Sequence, residues 1–97
     1  MLKKTKIICT QGPATERPGV VDALIANGMN CARFNFSHGD HAEHLNRINM
    51  VREAAKKSGK VISLILDTKG PEMRLGEFKD GKVMLEKGNK FTLTYED

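Results

Sequence analysis

The segment NCARFNFS, residues 30–37, decides the fold class of this 97-residue chain. Its apolar side chains are Ala32, Phe34 and Phe36, and they alternate with Cys31, Arg33, Asn35 and Ser37. Because successive side chains of a β-strand point to opposite faces of the sheet, this alternation predicts a strand with one apolar and one polar face.

Two further strands are predicted on either side of this segment. Residues 6–10, KIICT, form a short β-branched run that stops at Gly12-Pro13, and residues 61–66, VISLIL, are almost continuously apolar. A continuous apolar run is typical of a parallel strand that is covered on both faces.

Helical patterns lie between these strands. The first has apolar residues at Val20, Val21, Leu24 and Ile25 and stops at Asn27-Gly28. The second begins at Asp40, with Glu43 as the partner of a capping box, and ends near residues 58–59. Its expected buried stripe is Leu45, Ile48, Val51 and Ala55.

The order strand, helix, strand, helix, strand with short links predicts a parallel α/β sheet with right-handed crossovers. After Pro71 the helical period disappears. Short strands are predicted over residues 72–78, 83–85 and 91–95, separated by turns at 79–82 and 87–89. The chain is therefore divided into an α/β part, residues 1–70, and the beginning of an antiparallel β part, residues 71–97.

Composition excludes several classes of function. Lysine and arginine number 16 and aspartate and glutamate 12, which gives a net charge of +4. The basic residues are interspersed with acidic ones and there is no Trp, which argues against nucleic acid as a partner. No apolar run approaches the roughly 18 residues of a membrane span, and no signal peptide core is present. The two cysteines, Cys9 and Cys31, are expected to be free thiols in a reducing cytoplasm.

Polar side chains collect where two predicted strands end. Arg33, Asn35 and Ser37 share one face of the second strand, and Asp67 and Thr68 follow the third. Because the carboxyl ends of parallel strands form the binding face, these groups are expected on one rim. Amide, hydroxyl and carboxylate oxygens suit an alkali or alkaline-earth cation, and Arg33 beside it would bind phosphate. A buried salt bridge of Arg33 is an equally weighted alternative.

Three stretches, residues 6–13, 28–39 and 66–74, closely resemble the N-terminal region of the pyruvate kinase family in order and spacing. Gln11 and Met73 depart from the residues that are usual there. The resemblance implies the N-terminal βαβαβ part of a (β/α)₈ TIM barrel, followed by the start of a small inserted β domain.

The resemblance also implies an activity and a site. The family transfers a phosphoryl group from phosphoenolpyruvate to ADP, giving pyruvate and ATP in glycolysis, and it uses Mg²⁺ and K⁺. By position, Arg33 matches the residue that binds the substrate phosphate. The potassium ligands match Asn35, Ser37, Asp67 and Thr68. The nucleotide-binding residues match Asn35, Phe36, Ser37, His38 and Arg74.

Other implied features lie outside these 97 residues. The family's acid/base lysine and its magnesium ligands occur later in the chain, so the segment alone is expected to be inactive and to contain no catalytic residue. The complete enzyme is expected to be a cytoplasmic homotetramer. A non-catalytic anion-binding, nucleotide-binding or assembly module is the alternative function.

Two further motifs give only weak evidence of function. Residues 76–83 nearly match a phosphate-binding loop, but Val83 replaces the required hydroxyl and an Asp-Gly turn is the better interpretation. His38, His41 and His44 occur every third residue, a spacing that drifts around a helix and favours solvent-facing or nucleotide-adjacent side chains over a zinc site.

Overall fold

A computed structural model describes residues 3–95. Its strands are β1, Ile7–Thr10, β2, Met29–Asn35, and β3, Ser63–Asp67. Its helices are a short 3₁₀ helix, Pro13–Glu16, followed by α1, Val20–Ala26, and α2, His41–Ser58. Up to β3 the order of strands and long helices is the predicted one, with the 3₁₀ helix as an additional element.

The three strands form one parallel sheet in the order β1-β2-β3. Thr10 of β1 is opposite Arg33, and Asn35 is opposite Asp67 of β3. The predicted parallel α/β architecture is confirmed, and the carboxyl ends of all three strands lie at one edge of the sheet.

The pairing of β1 with β2 contains an irregularity at its start. Ile7 is opposite Met29 but Ile8 is opposite Cys31, so Asn30 is an extra residue on β2. The Asn30 side-chain oxygen accepts hydrogen bonds from the main-chain N–H of Ile7 at 2.9 Å and from Lys3 Nζ at 2.8 Å. At the bulge, a hydrogen bond to the Asn30 side chain therefore takes the place of a main-chain hydrogen bond between the two strands.

The core lies between the apolar face of β2 and the two helices. Ala32 and Phe34 are 0% and 1% exposed. They pack with Val21 and Ile25 of α1, with Met29, and with Val51 and Ala54 of α2. Phe36 continues the same apolar face and packs against this cluster. The predicted alternation of β2 is thus confirmed on its buried face.

Helix α2 has the predicted caps but a rotated buried face. Asp40 accepts a hydrogen bond from the Glu43 main-chain N–H at 2.8 Å, and the Glu43 side chain accepts one from the Asp40 N–H at 3.1 Å. The buried residues are His44, Arg47, Val51 and Ala54.

The predicted stripe was wrong at Leu45, which is 56% exposed, whereas Ile48 and Ala55 are half-buried at the border of the core. The reason is that buried contacts of two polar residues set the rotation of α2. His44 stacks on Phe36, and Arg47 donates to Glu16 of the 3₁₀ helix at 2.7 Å.

Strand β3 is not covered on both faces as its apolar run predicted. Leu64 and Ile65, which point to opposite faces, are 36% and 37% exposed, and Leu66 is 55% exposed. Within residues 3–95, β3 pairs with β2 on one side and has no partner strand on the other, and the helices pack mainly against β2.

The strands predicted over residues 72–78, 83–85 and 91–95 are wrong for the described part of the chain, where residues 68–95 contain no strand and are exposed throughout. The turns between them are present, since the Gly81 N–H donates to Phe78 and the Asn89 N–H to Glu86. Short amphipathic segments without a packing surface do not retain a ladder, because a lone hairpin is only marginally stable. Within the described residues, neither helix has the length and apolar character needed to cross a bilayer.

The capping box of α2 gives a local stability prediction. Asp40→Ala removes the acceptor for the Glu43 N–H and should cost about 1 kcal/mol at the start of α2. We expect hydrogen exchange of the first-turn amides to accelerate about fivefold. Glu43→Gln is the matched control, because Gln also completes a capping box. Equal protection in Asp40→Ala and the control would contradict the assignment.

Candidate functional site

Arg33 lies at the centre of the carboxyl edge of the sheet. Its Nε and Nη2 both donate to Asp67 Oδ2, at 2.9 and 2.6 Å, and its Nη1 donates to Thr10 Oγ1 at 3.2 Å. One guanidinium therefore connects side chains at the ends of all three strands. The sequence prediction that Arg33 and Asp67 share one rim is confirmed.

This ion pair is not the buried salt bridge that was the alternative interpretation. The Arg33 and Asp67 side chains are 34% and 43% exposed. Solvent screens a pair at this exposure, so its contribution to stability is at most about 1 kcal/mol. Its effect is geometric: the planar guanidinium is held at the rim and remains accessible to an anion.

Thr10 is a rim residue that the sequence analysis missed. It is the last residue of β1 and its partner in the register is Arg33. The main chain directly after β1 is also joined to β2, because the Gln11 N–H donates a hydrogen bond to the Arg33 carbonyl at 2.8 Å. A hydroxyl in the last position of a parallel strand was the available signal, because such positions lie at the binding face.

The candidate cation ligands lie around the same two strand ends. Asn35 is directly opposite Asp67, and its side-chain oxygen accepts the Ser37 N–H at 3.1 Å. The Phe36 N–H donates to the Asp67 carbonyl at 2.9 Å, which joins the segment after β2 to the end of β3. Thr68 follows Asp67 and is exposed. The structure thus brings Asn35, Ser37 and Asp67 together.

The donor set has one carboxylate, an amide oxygen and two hydroxyls, all hard oxygen ligands. Such a set suits an alkali or alkaline-earth cation better than a transition metal, which favours nitrogen or sulfur. Among residues 3–95, no group of three or more histidine, cysteine, aspartate or glutamate side chains is placed to hold a metal ion.

The three histidines occupy different environments. His44 is 3% exposed and its ring stacks on Phe36, with centroids 4.2 Å apart. His41 is exposed and lies 6.1 Å from Phe36 in a tilted arrangement. The solvent-facing alternative is therefore wrong for His44, because the partly buried ring of Phe36 gives it an aromatic surface beside the core. The nucleotide-adjacent alternative stays a prediction.

Arg74, the remaining predicted site residue, forms an ion pair with Glu72 at 2.9 Å. The hydrogen bond from Arg74 is the main cause that lowers the pKa of Glu72, and the charges of Arg74, Lys69 and His38 act in the same direction against a smaller desolvation effect. Both partners lie in the exposed segment after β3, so water screens the pair.

The cysteines have no part in the site. Cys31 is buried and Cys9 is half-buried, and both are free thiols. Cys9 lies on β1 and Cys31 on β2, within the segments predicted to be strands.

Three parallel strands joined by two long helices, with a polar cluster at the carboxyl ends of the strands, define a parallel α/β protein. The family described as "Pyruvate kinase, barrel domain" matches residues 2–97. The chain belongs to the pyruvate kinase family, and it forms the N-terminal part of the family's barrel.

Individual relatives agree with this membership. The chain is 48% identical to a pyruvate kinase of Staphylococcus haemolyticus, in an alignment that covers 99% of this chain and 19% of the relative. It is 52% identical to one of Staphylococcus saprophyticus, over 96% of this chain and 16% of that protein. The crystal structure of a pyruvate kinase from Cryptosporidium parvum superposes with a TM-score of 0.71 at 48% identity, over 81% of this chain and 16% of that one. The chain therefore spans less than a fifth of each relative.

The ion pair of Glu72 with Arg74 gives a testable titration. The pKa of Glu72 lies below that of an ordinary glutamate, so the stabilising contact is complete above the ordinary pKa and is lost as pH falls through the lowered one. Arg74→Gln should raise the pKa of Glu72 towards its usual value, as measured by NMR titration of the side-chain carboxyl. Lys69→Gln is the control and should have a smaller effect. An unchanged pKa of Glu72 in Arg74→Gln would show that the pair does not form.

Proposed function

We propose that the whole protein containing this chain transfers a phosphoryl group from phosphoenolpyruvate to ADP, giving pyruvate and ATP. The observation that carries the proposal is the position of Arg33, held by Asp67 and Thr10 at the carboxyl edge of the sheet. Relatives about half identical to this chain and named pyruvate kinase support it.

The role proposed for Arg33 is to bind the phosphate of phosphoenolpyruvate. A guanidinium has five N–H groups, and three of them take part in the contacts with Asp67 and Thr10. Among the described residues, the other two have no protein acceptor, which leaves them for phosphate oxygens. Phosphoryl transfer depends on positioning and on neutralising charge at the equatorial oxygens, and a fixed guanidinium supplies both.

K⁺ is the proposed cation at the adjacent oxygens, with ligands Asn35, Ser37, Asp67 and Thr68. When bound, it would add positive charge next to the transferring group. Asp67 has a double role in this arrangement: its Oδ2 fixes Arg33, while the other carboxylate oxygen takes no part in that contact. Mg²⁺ is also proposed for the complete enzyme, with ligands outside this segment.

The proposed nucleotide-binding residues are Asn35, Phe36, Ser37, His38 and Arg74. The first four form one continuous segment directly beside Arg33, and the Phe36 N–H joins this segment to the Asp67 carbonyl. ADP bound there would lie next to the phosphate held by Arg33, as direct transfer between the two substrates requires.

The remaining features of the proposal concern the complete protein. Residues 1–70 would be the first part of the catalytic barrel and residues 71–97 the beginning of the inserted β domain. The exposed apolar side chains of β3 and of residues 68–95, which contain no strand, support this, since further strands would cover them. The enzyme would act in the cytoplasm as a homotetramer, without nucleic acid or a membrane as partner.

Substitution of Arg33 tests the proposal in the full-length enzyme. Arg33→Ala should lower kcat/KM for phosphoenolpyruvate by about 100-fold or more, because a charge-assisted contact to the transferring group is lost. Arg33→Lys should recover only part of this, because an ammonium cannot replace the planar fork. Pyruvate formation is measured in a coupled assay with and without K⁺.

Arg52 on the exposed side of α2 supplies a matched control of the same charge. Arg52→Ala should retain normal kinetics, and both variants should unfold near the temperature of the parent. Near-normal rates in Arg33→Ala, with folding intact, would refute the role assigned to Arg33.

The isolated segment of residues 1–97 should show no phosphoryl transfer, because the proposed acid/base lysine and magnesium ligands lie elsewhere in the protein. The measurement is the same coupled assay on the purified segment, with the full-length enzyme as the positive control. Turnover by the segment would contradict the proposal. Saturable binding of ADP by a full-length protein that forms no pyruvate would instead favour the non-catalytic binding module.

A further inference from the structure

His44 is a buried aromatic contact beneath the proposed nucleotide segment. It comes from the first turns of α2 and is 3% exposed. Its ring lies almost parallel to that of Phe36, with an interplanar angle of 12° and centroids 4.2 Å apart. Phe36 is the one member of the segment that packs against the core, so His44 contacts the segment from inside the protein.

A hydrogen bond joins the same histidine to the end of the segment. His44 Nε2 lies 2.6 Å from the main-chain oxygen of His38. A carbonyl oxygen only accepts hydrogen bonds, so Nε2 carries the proton and donates. Nδ1 is buried without a hydrogen-bond partner among residues 3–95. A buried imidazole with only one satisfied nitrogen is expensive to retain as a packing residue alone.

Gly39 makes this close approach possible. It adopts a left-handed conformation with φ of +74°, directly between His38 and the start of α2. A Cβ at this position would lie 2.6 Å from Glu43 Oε2 and 3.3 Å from His44 Nε2. The chain therefore passes from the segment into the helix along a path that favours glycine, with the capping box and His44 close to the turn.

We propose that His44 is a positioning residue for the ADP site, acting through the Phe36 ring and the His38 carbonyl to hold residues 35–38 in one conformation. This inference rests on the function proposed above, in which these residues bind the nucleotide. The two contacts fix the segment at its middle and at its end, while the Asn35 side chain lies on the opposite, polar face of β2 and accepts the Ser37 N–H.

The position of this anchor predicts a selective effect. Arg33 is held by Asp67 and Thr10, and neither contact involves His44. Loss of the His44 contacts should therefore loosen the segment after β2 without moving Arg33. Binding of ADP should weaken while binding of phosphoenolpyruvate is retained, which a general loss of stability would not produce.

Two substitutions in the full-length enzyme separate the two contacts. His44→Gln retains a nitrogen donor near the Nε2 position, and His44→Phe retains an aromatic ring without a donor. We expect His44→Phe to raise KM for ADP about 5- to 10-fold, the range of one lost hydrogen bond. KM for phosphoenolpyruvate, measured at saturating K⁺, should change less than twofold, and His44→Gln should recover the part of the ADP loss that comes from the hydrogen bond.

His41→Gln is the matched control, because His41 is an exposed histidine of the same turn with only a tilted contact to Phe36. It should leave both KM values unchanged. If His44→Phe does not fold, Gly39→Ala takes its place, since it strains the turn at positive φ and its Cβ crowds His44 Nε2 at 3.3 Å, and it should raise KM for ADP selectively.

Three results would overturn the inference: an unchanged KM for ADP in His44→Phe, equal increases for both substrates, or no recovery in His44→Gln. The proposed function fails in a different way, through absence of pyruvate formation in the parent enzyme or normal rates in Arg33→Ala. The two failures are therefore distinguishable in one set of assays.

Discussion

The contact of Arg33 with Asp67 organises the carboxyl edge of the sheet. It joins residues 34 positions apart in the chain and lies where β2 and β3 end, with Thr10 of β1 as a third partner. At this exposure the pair contributes little to stability. The pair instead fixes the orientation of the long, flexible Arg33 side chain, which is held against the rim. The phosphate-binding role proposed for Arg33 depends on that orientation.

Stability and site chemistry are assigned to opposite faces of one strand. Ala32 and Phe34 bury one face of β2 beneath the helices, while Arg33 and Asn35 occupy the other. Because neighbouring residues of a strand point in opposite directions, the core holds each polar residue in place through the backbone on either side of it. The packing of the apolar neighbours therefore fixes the positions of polar residues that are not in the core, and in this way a rigid strand supports a precise site.

In the α/β part, the features that depend on residues close together in the chain were predicted correctly from the sequence. Alternation in β2, the Asp40 cap and the glycine stops gave the order of elements correctly, and the ends of parallel strands placed Arg33 near Asp67. Thr10 and the stacking of His44 on Phe36 were missed, because partners far apart in the chain leave no periodic signal. Leu45 was misplaced for the same reason, since distant contacts of His44 and Arg47 rotate α2. The segment after β3 shows turns without strands, because a strand needs a neighbour that local sequence does not supply.

The extra residue at Asn30 sets the pairing frame between β1 and β2. Past this bulge the offset between the partners grows by one, from Ile7 opposite Met29 to Ile8 opposite Cys31. Since a single-residue slip exchanges the two faces of a strand, the frame set at Asn30 is what turns the Thr10 hydroxyl towards Arg33. A deletion or insertion near Asn30 would therefore change which side chains of β1 face Arg33 at the other end of the sheet. Tolerance to changes in length should be low here, although these residues are remote from the proposed chemistry.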